Sequence, residues 1–251
     1  MSKNFEVLLR TERQAELFGP AVVDREIVVT KQTRSRPQIH LDQSVHNEEI
    51  KLIERVFLFP GQHAPRVVVF CGIEGPGGTA GICARAGRNL AERTGSPVCL
   101  VDADFNSPSS LNDYFDVDNT LTMTGGISRS APIREFAQRI NCENLFLVSR
   151  VRIVGGGEPA WRSDAWPARL NELRCAFTYV LIAAPPVSSN PDAVLLGKGA
   201  DGVILVLESQ LTRRETARAI KHSLVEANVQ LLGAVLNNHA HPIPDKLYKM
   251  V

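Results

Sequence analysis

The sequence has little of what would tie it to a membrane, an oxidising compartment or a nucleic acid. No apolar run approaches the roughly 20 residues that cross a bilayer. The opening MSKNFEVLLRTERQAELF is charged throughout and has no signal-type apolar segment. Lys+Arg 28 against Asp+Glu 27 leave a formal charge of +1. That balance gives no global electrostatic attraction to nucleic acid or to an anionic bilayer. The cysteines Cys71, Cys83, Cys99, Cys142 and Cys175 include no C-x-x-C pair and no histidine at zinc spacing, which excludes a disulfide framework and a structural zinc site. Buried thiols are expected instead, above all at Cys71 and Cys99, which end apolar runs. His239 and His241 read as surface-loop residues. Together these absences predict a soluble cytoplasmic protein without direct membrane insertion.

What is present is a long alternation of short β-branched runs with segments of helical period. The runs 67–71, 97–101, 145–149, 179–183, 202–207 and 232–235 with its flanks read as strands. Helices are predicted to start near Ala80, Pro132, Ser163, Asn190 and Thr212, the last with Glu215 at capping-box spacing. This order predicts an α/β fold, a doubly wound, mainly parallel sheet with helices on both faces. Residues 1–45 have no sustained period and read as an N-terminal arm or linker, with the principal domain over 46–251. Within it, HNEEIKLIERVFL at 46–58 carries Ile50, Ile53, Val56 and Phe57 on one helical face, for packing on the sheet or for contact with a neighbouring subunit. The run GGGEPAW at 155–161 reads as a loop, with Trp161 and Trp166 covering apolar surface.

The most informative segment is VVVFCGIEGPGGTAG at 67–81, a Gly-rich turn between a buried strand and a helix. The spacing Gly72-x-x-x-x-Gly77-Gly78-Thr79 fits a phosphate loop, except that Gly78 stands where the loop carries its lysine. The backbone N–H groups of Gly75, Gly77, Gly78 and Thr79, at the positive end of a helix dipole, can still form an anion nest. After the strand PVCLV come Asp102 and Asp104, carboxylates at the ligand-binding edge of an open sheet. Paired acids there suit magnesium.

The segments at 67–94, VDADFNSPS, YVLIAAPPV at 179–187 and the run at 200–238 together resemble the cytoplasmic kinase domain of bacterial tyrosine autokinases for capsule and exopolysaccharide synthesis. Those kinases are deviant-Walker ATPases of the MinD and ParA type. The resemblance implies ATP or ADP with Mg2+ as cofactors. It places Gly72, Gly75, Gly77, Gly78, Thr79 and Ala80 around the phosphates, and Asn237 (or Asn238) on the base. It makes Asp102 and Asp104 the catalytic carboxylates and gives Thr79 and Asp102 to the metal. It also marks two losses: Gly78 replaces the lysine, and Ala183 replaces the Walker B aspartate. The tyrosine cluster of the family's tail is reduced to Tyr248, while Tyr114 and Tyr179 read as packing residues.

A degenerate kinase homologue with weak or no ATP turnover follows from these losses. Its role would be that of a regulatory or scaffolding partner of a membrane-embedded polysaccharide chain-length or export protein, which would recruit it to the inner face of the cell membrane. An active autokinase would need a substitute base such as Arg85, Lys198 or a neighbour's arginine. A positioning ATPase of the MinD or ParA sort would need a membrane helix or a DNA-binding surface that KLYKMV and the net charge do not supply. A homo-oligomer is left open.

Overall fold

Apolar runs that alternate between two helical layers form strands here because both of their faces are buried. In β1 (Val67–Gly72) and β2 (Val98–Asp102) every residue is buried, as is all of β5 (Tyr179–Ala184) except Tyr179. With β3 (Gln138–Arg139), β4 (Leu145–Val148), β6 (Gly202–Glu208) and β7 (Leu231–Asn237), they make a sheet of order β3-β4-β2-β5-β1-β6-β7. Every pairing is parallel except that of β3 with β4. The computed structural model describes residues 43–59, 64–75, 78–104, 110–117, 132–140, 143–149, 160–162, 164–188, 191–209 and 211–238. All of these lie within the compact unit Leu41–Val251.

The helices divide between the two faces. On one lie α1 (Gln43–Ile53), α2 (Thr79–Thr94) and the short α3 (Leu111–Phe115), whose Ile53, Ile82, Leu90 and Leu111 meet Val68, Phe70, Leu100 and Leu181 of the sheet. On the other lie α4 (Trp166–Ala176), α5 (Asp192–Gly199) and α6 (Arg214–Glu226), whose Leu170, Leu173, Leu196 and Leu224 meet Val69, Val101 and Ile182. Successive strand residues therefore feed opposite layers, as a pleated strand requires. This is the doubly wound α/β architecture that the sequence predicts. The α2 layer approaches the sheet closely at Gly87, where an added Cβ would lie 2.5 Å from Leu100 Cδ2.

The predicted helical stripe at 46–58 faces the core. Ile53 and Phe57 are buried, and the Phe57 ring meets Tyr179 edge-on at 5.7 Å between centroids. Beyond Ile53 the helix widens into a π turn over Glu54–Leu58. Glu49 pairs with Arg85, and Glu54 with Arg93 at 3.1 Å, so the stripe's polar flank is tied to α2. Trp161 and Trp166 are buried with their rings 6.3 Å apart. Cys71, Cys83 and Cys99 are buried as expected, whereas Cys175, on α4, is exposed.

Two local predictions fail. Near Pro132 there is a 3-10 turn, Ile133–Phe136, followed by β3, which folds back antiparallel on β4. An antiparallel neighbour needs no helical crossover, and β3 reaches β4 at Leu145 through residues 140–144 alone. The capping box at Thr212 does not form either. The N-cap of α6 is Arg213, with no side-chain cap, and Thr212 Oγ1 accepts the Glu208 N–H at 2.9 Å instead. A capping box does occur at Ser110 and Asp113, opening α3. Residues 1–42, Cys142, most of GGGEPAW, His239, His241 and Tyr248 lie outside the described residues.

Candidate nucleotide site

Parallel register decides which side chains meet at the carboxyl edge of the sheet. Ala183 on β5 is the register partner of Asp102 on β2 and of Phe70 on β1. Register partners share a face, so all of them point toward α2, the helix that follows the phosphate loop. Farther along, Gly72 is level with Val206, and Glu208 at the end of β6 is level with Asn237 at the end of β7. Val206 belongs to the α2 layer, and Glu208, two residues on, returns to that face.

The described part of the turn after β1 carries a left-handed glycine and leads into the N-terminus of α2. Gly75 adopts a φ of 66°, which glycine reaches without strain. Gly78 is the N-cap of α2, and its carbonyl accepts the Ile82 N–H at 2.9 Å. Thr79 is buried, with Oγ1 packed on Gly72, where an added Cβ would come within 3.1 Å. Ala80 follows in the first turn of α2. Val187 and Ser188 donate to the carbonyls of Gly72 and Ile73, tying the loop to the segment after β5. Gly77 lies outside the described residues.

The residue that completes this edge is Glu208, which sequence reasoning passed over. Its carboxylate Oε1 accepts the Gly78 N–H at 2.9 Å and the Asn237 Nδ2 at 2.8 Å. Oε2 accepts the Asn238 Nδ2 at 2.8 Å. Glu208 is 8% exposed. A buried carboxylate is stable only when hydrogen bonds satisfy it, and these amides at the positive end of α2 do so. The available signal was a lone acid closing the apolar run GVILVL, at the strand end where ligands bind.

Asp102 is almost fully buried and also works on backbone N–H groups. Its Oδ1 accepts from Asp104 N and its Oδ2 from Leu111 N, each at 3.2 Å. Asp104 is half-buried on the following turn. Of the candidate substitute bases, Arg85 is paired with Glu49. Lys198 lies in the last turn of α5, on the opposite face of the sheet. That helix runs back from the carboxyl edge to the start of β6, so Lys198 is remote from the loop.

No protein-family profile matches the chain. A tyrosine-protein kinase YwqD of Bacillus subtilis is 31% identical over 145 residues, covering 57% of this chain and 60% of the kinase. Tyrosine-protein kinase CpsD of Streptococcus pneumoniae is 25% identical over 145 residues, covering 58% of this chain and 64% of CpsD. Its relatives are bacterial tyrosine-protein kinases. The chain spans about three fifths of the length of these curated relatives. In fold it is similar to the chimerical protein CapA2B2, with a TM-score of 0.66 and 18% identity over 93% of this chain and 99% of that one. The kinase domain of the Escherichia coli tyrosine kinase ETK gives 0.65 at 15% identity, over 84% and 88%. MinD of Pyrococcus horikoshii, solved with Mg-ADP, gives 0.53 at 18% identity, over 74% and 76%.

Set against such tyrosine kinases, the described residues do not fit a magnesium-bound triphosphate as they stand. The N–H of Gly78, which the resemblance places on the phosphates, is given to Glu208. Asn237, the expected base reader, is given to the same carboxylate. Both oxygens of Asp102 hold backbone N–H groups, and the position beside it on β5 is the buried methyl of Ala183. The fold of such kinase domains is present, and the Gly78 N–H and the Asn237 amide, both expected to meet a nucleotide, bond to Glu208.

Proposed function

We propose that this chain is a degenerate tyrosine autokinase homologue that binds nucleotide weakly or not at all. It acts in capsule or exopolysaccharide synthesis as a regulatory or scaffolding partner of a membrane-embedded chain-length or export protein. The observation that carries this reading is the state of the loop: glycine replaces the lysine at position 78, and the N–H there is satisfied by an internal carboxylate. Phosphoryl transfer depends on positioning and charge stabilisation at this point. Loss of the aspartate at Ala183 acts on the same step. Sequence relatedness to YwqD and CpsD supports the kinase-like origin.

Calorimetric titration with ATP and ADP in the presence of magnesium, followed by a phosphate-release assay on the same sample, tests this reading. Weak or absent binding and no turnover above background are expected. Sustained ATP hydrolysis, or incorporation of phosphate into tyrosine by the purified protein, would sink it.

A further inference from the structure

Gly78, Asn237 and Glu208 form one interlocked unit. An added Cβ at Gly78 would overlap Asn237 Nδ2, so the space above the loop that any side chain would enter is filled by that amide. The amide is there because it holds Glu208 Oε1 at 2.8 Å, and the same oxygen takes the Gly78 N–H at 2.9 Å. Asn238 anchors the other oxygen at 2.8 Å, and Thr212 Oγ1 fixes the Glu208 backbone N–H at 2.9 Å. Both oxygens and the main chain of Glu208 are therefore located by hydrogen bonds.

The chemistry of this arrangement is that of an anion in a phosphate nest. A carboxylate oxygen and a phosphate oxygen ask the same thing of a loop N–H at a helix N-terminus. Here the anion comes from the chain itself and is buried. A diphosphate entering the loop needs the N–H that Glu208 holds and meets a like charge in a place with little water to screen it. It binds only when the carboxylate is neutralised or withdrawn.

We propose that Glu208 is a built-in phosphate mimic that closes the loop to nucleotides, with Asn237 and Asn238 holding it in place. This inference rests on the degenerate-kinase reading and names the device that keeps its nucleotide site shut. The loss of the lysine is then part of the device, because glycine at 78 leaves room for the Asn237 amide that steers the carboxylate onto the loop.

The test is calorimetric titration of the full chain with Mg-ADP, and separately with inorganic pyrophosphate, for the wild type and for Glu208→Gln and Glu208→Ala. Thermal melts establish that each variant is folded. Either Glu208 variant is expected to bind ADP and pyrophosphate at least about tenfold more tightly than the wild type. Folded Glu208 variants that bind no more tightly than the wild type overturn the proposal. If neither variant folds, Asn238→Ala decides, since it loosens the carboxylate and keeps its charge: tighter ADP binding upholds the mimic and unchanged binding overturns it. The two readings fail separately. ATP turnover by the wild type removes the degenerate-kinase reading, whereas an inert wild type with equally unresponsive variants removes only the phosphate mimic.

Discussion

Gly78 donates its N–H to the Glu208 carboxylate at 2.9 Å across 130 positions of sequence, joining the Gly-rich loop to the end of β6. The contact needs glycine for reasons of space. The φ of Gly78 is −64°, which any residue adopts, so a substitution there is limited by Asn237 and not by the backbone. Gly78→Ala is expected to cost about 1–3 kcal/mol through overpacking. The cost should shrink when Asn237→Ala is made in the same chain, with a coupling energy of about 0.5–3 kcal/mol. Urea unfolding of the two single variants and the double variant measures it, and strict additivity would contradict the interlocked geometry.

Ala183→Asp places a carboxylate beside Asp102, its register partner, in a position that is 2% exposed. Like charges in a buried site oppose each other unless a cation joins them. The variant should lose about 3–5 kcal/mol of stability in metal-free buffer, the usual cost of an unpaired buried charge. Millimolar magnesium should restore part of its melting temperature by binding the folded state. The wild type serves as the reference, and an equal response of both proteins to magnesium would disprove the adjacency.

At the opposite edge of the sheet, Asp201 accepts from Arg174 Nη2 at 2.7 Å and from the N–H groups of Arg66 and Val67 at 2.7 and 2.8 Å. Burial pushes its carboxyl up, but the Arg174 hydrogen bond and these N–H groups outweigh burial and hold it below the ordinary carboxylate value. A carboxyl depressed on folding stabilises the fold above its unfolded value, and that contribution is lost as pH falls through the folded one. Asp201→Asn should therefore lower stability near neutrality by about 1–3 kcal/mol. It should also flatten the fall in melting temperature below about pH 4. Melts from neutral to acid pH check both features.

The cysteines should separate by reactivity. Burial pushes the Cys71 thiol up to about 12. The same cause raises Cys99, and it raises Cys83 with help from the charge on Asp102 and from Cys99. Thiolate is the reactive form, so these three should resist a disulfide reagent at neutral pH. Cys175 is exposed and should react at once. Labelling followed by peptide mass mapping, native and in denaturant, distinguishes them.

Most of the fold was legible because its signals are local. Buried strands must be apolar throughout, and helices must carry a stripe, so β1, β2 and β5 and the Ile53–Phe57 face of α1 and its π turn could be read directly. The Gly-rich turn between β1 and α2 was legible for the same reason, since its spacing is fixed by the loop it makes. The 3-10 turn at Ile133 escaped because the residues after it pair antiparallel with β4, a long-range contact that periodicity does not register. Thr212 was misassigned because one hydroxyl had two competing partners, and the Glu208 N–H took it.

The sequence by itself determined the doubly wound architecture and the Gly-rich turn between β1 and α2, and it carries glycine at 78 and alanine at 183. Each of those depends on residues close together along the chain or on identity at one position. Only the tertiary structure decided what fills the loop. Glu208 and Asn237 become neighbours through the parallel register of β6 and β7, and both reach Gly78 because α2 packs on the face to which that register points them. Register and packing are set by the burial of the whole sheet, so a contact between the loop and a strand end so far along the chain has no local signature.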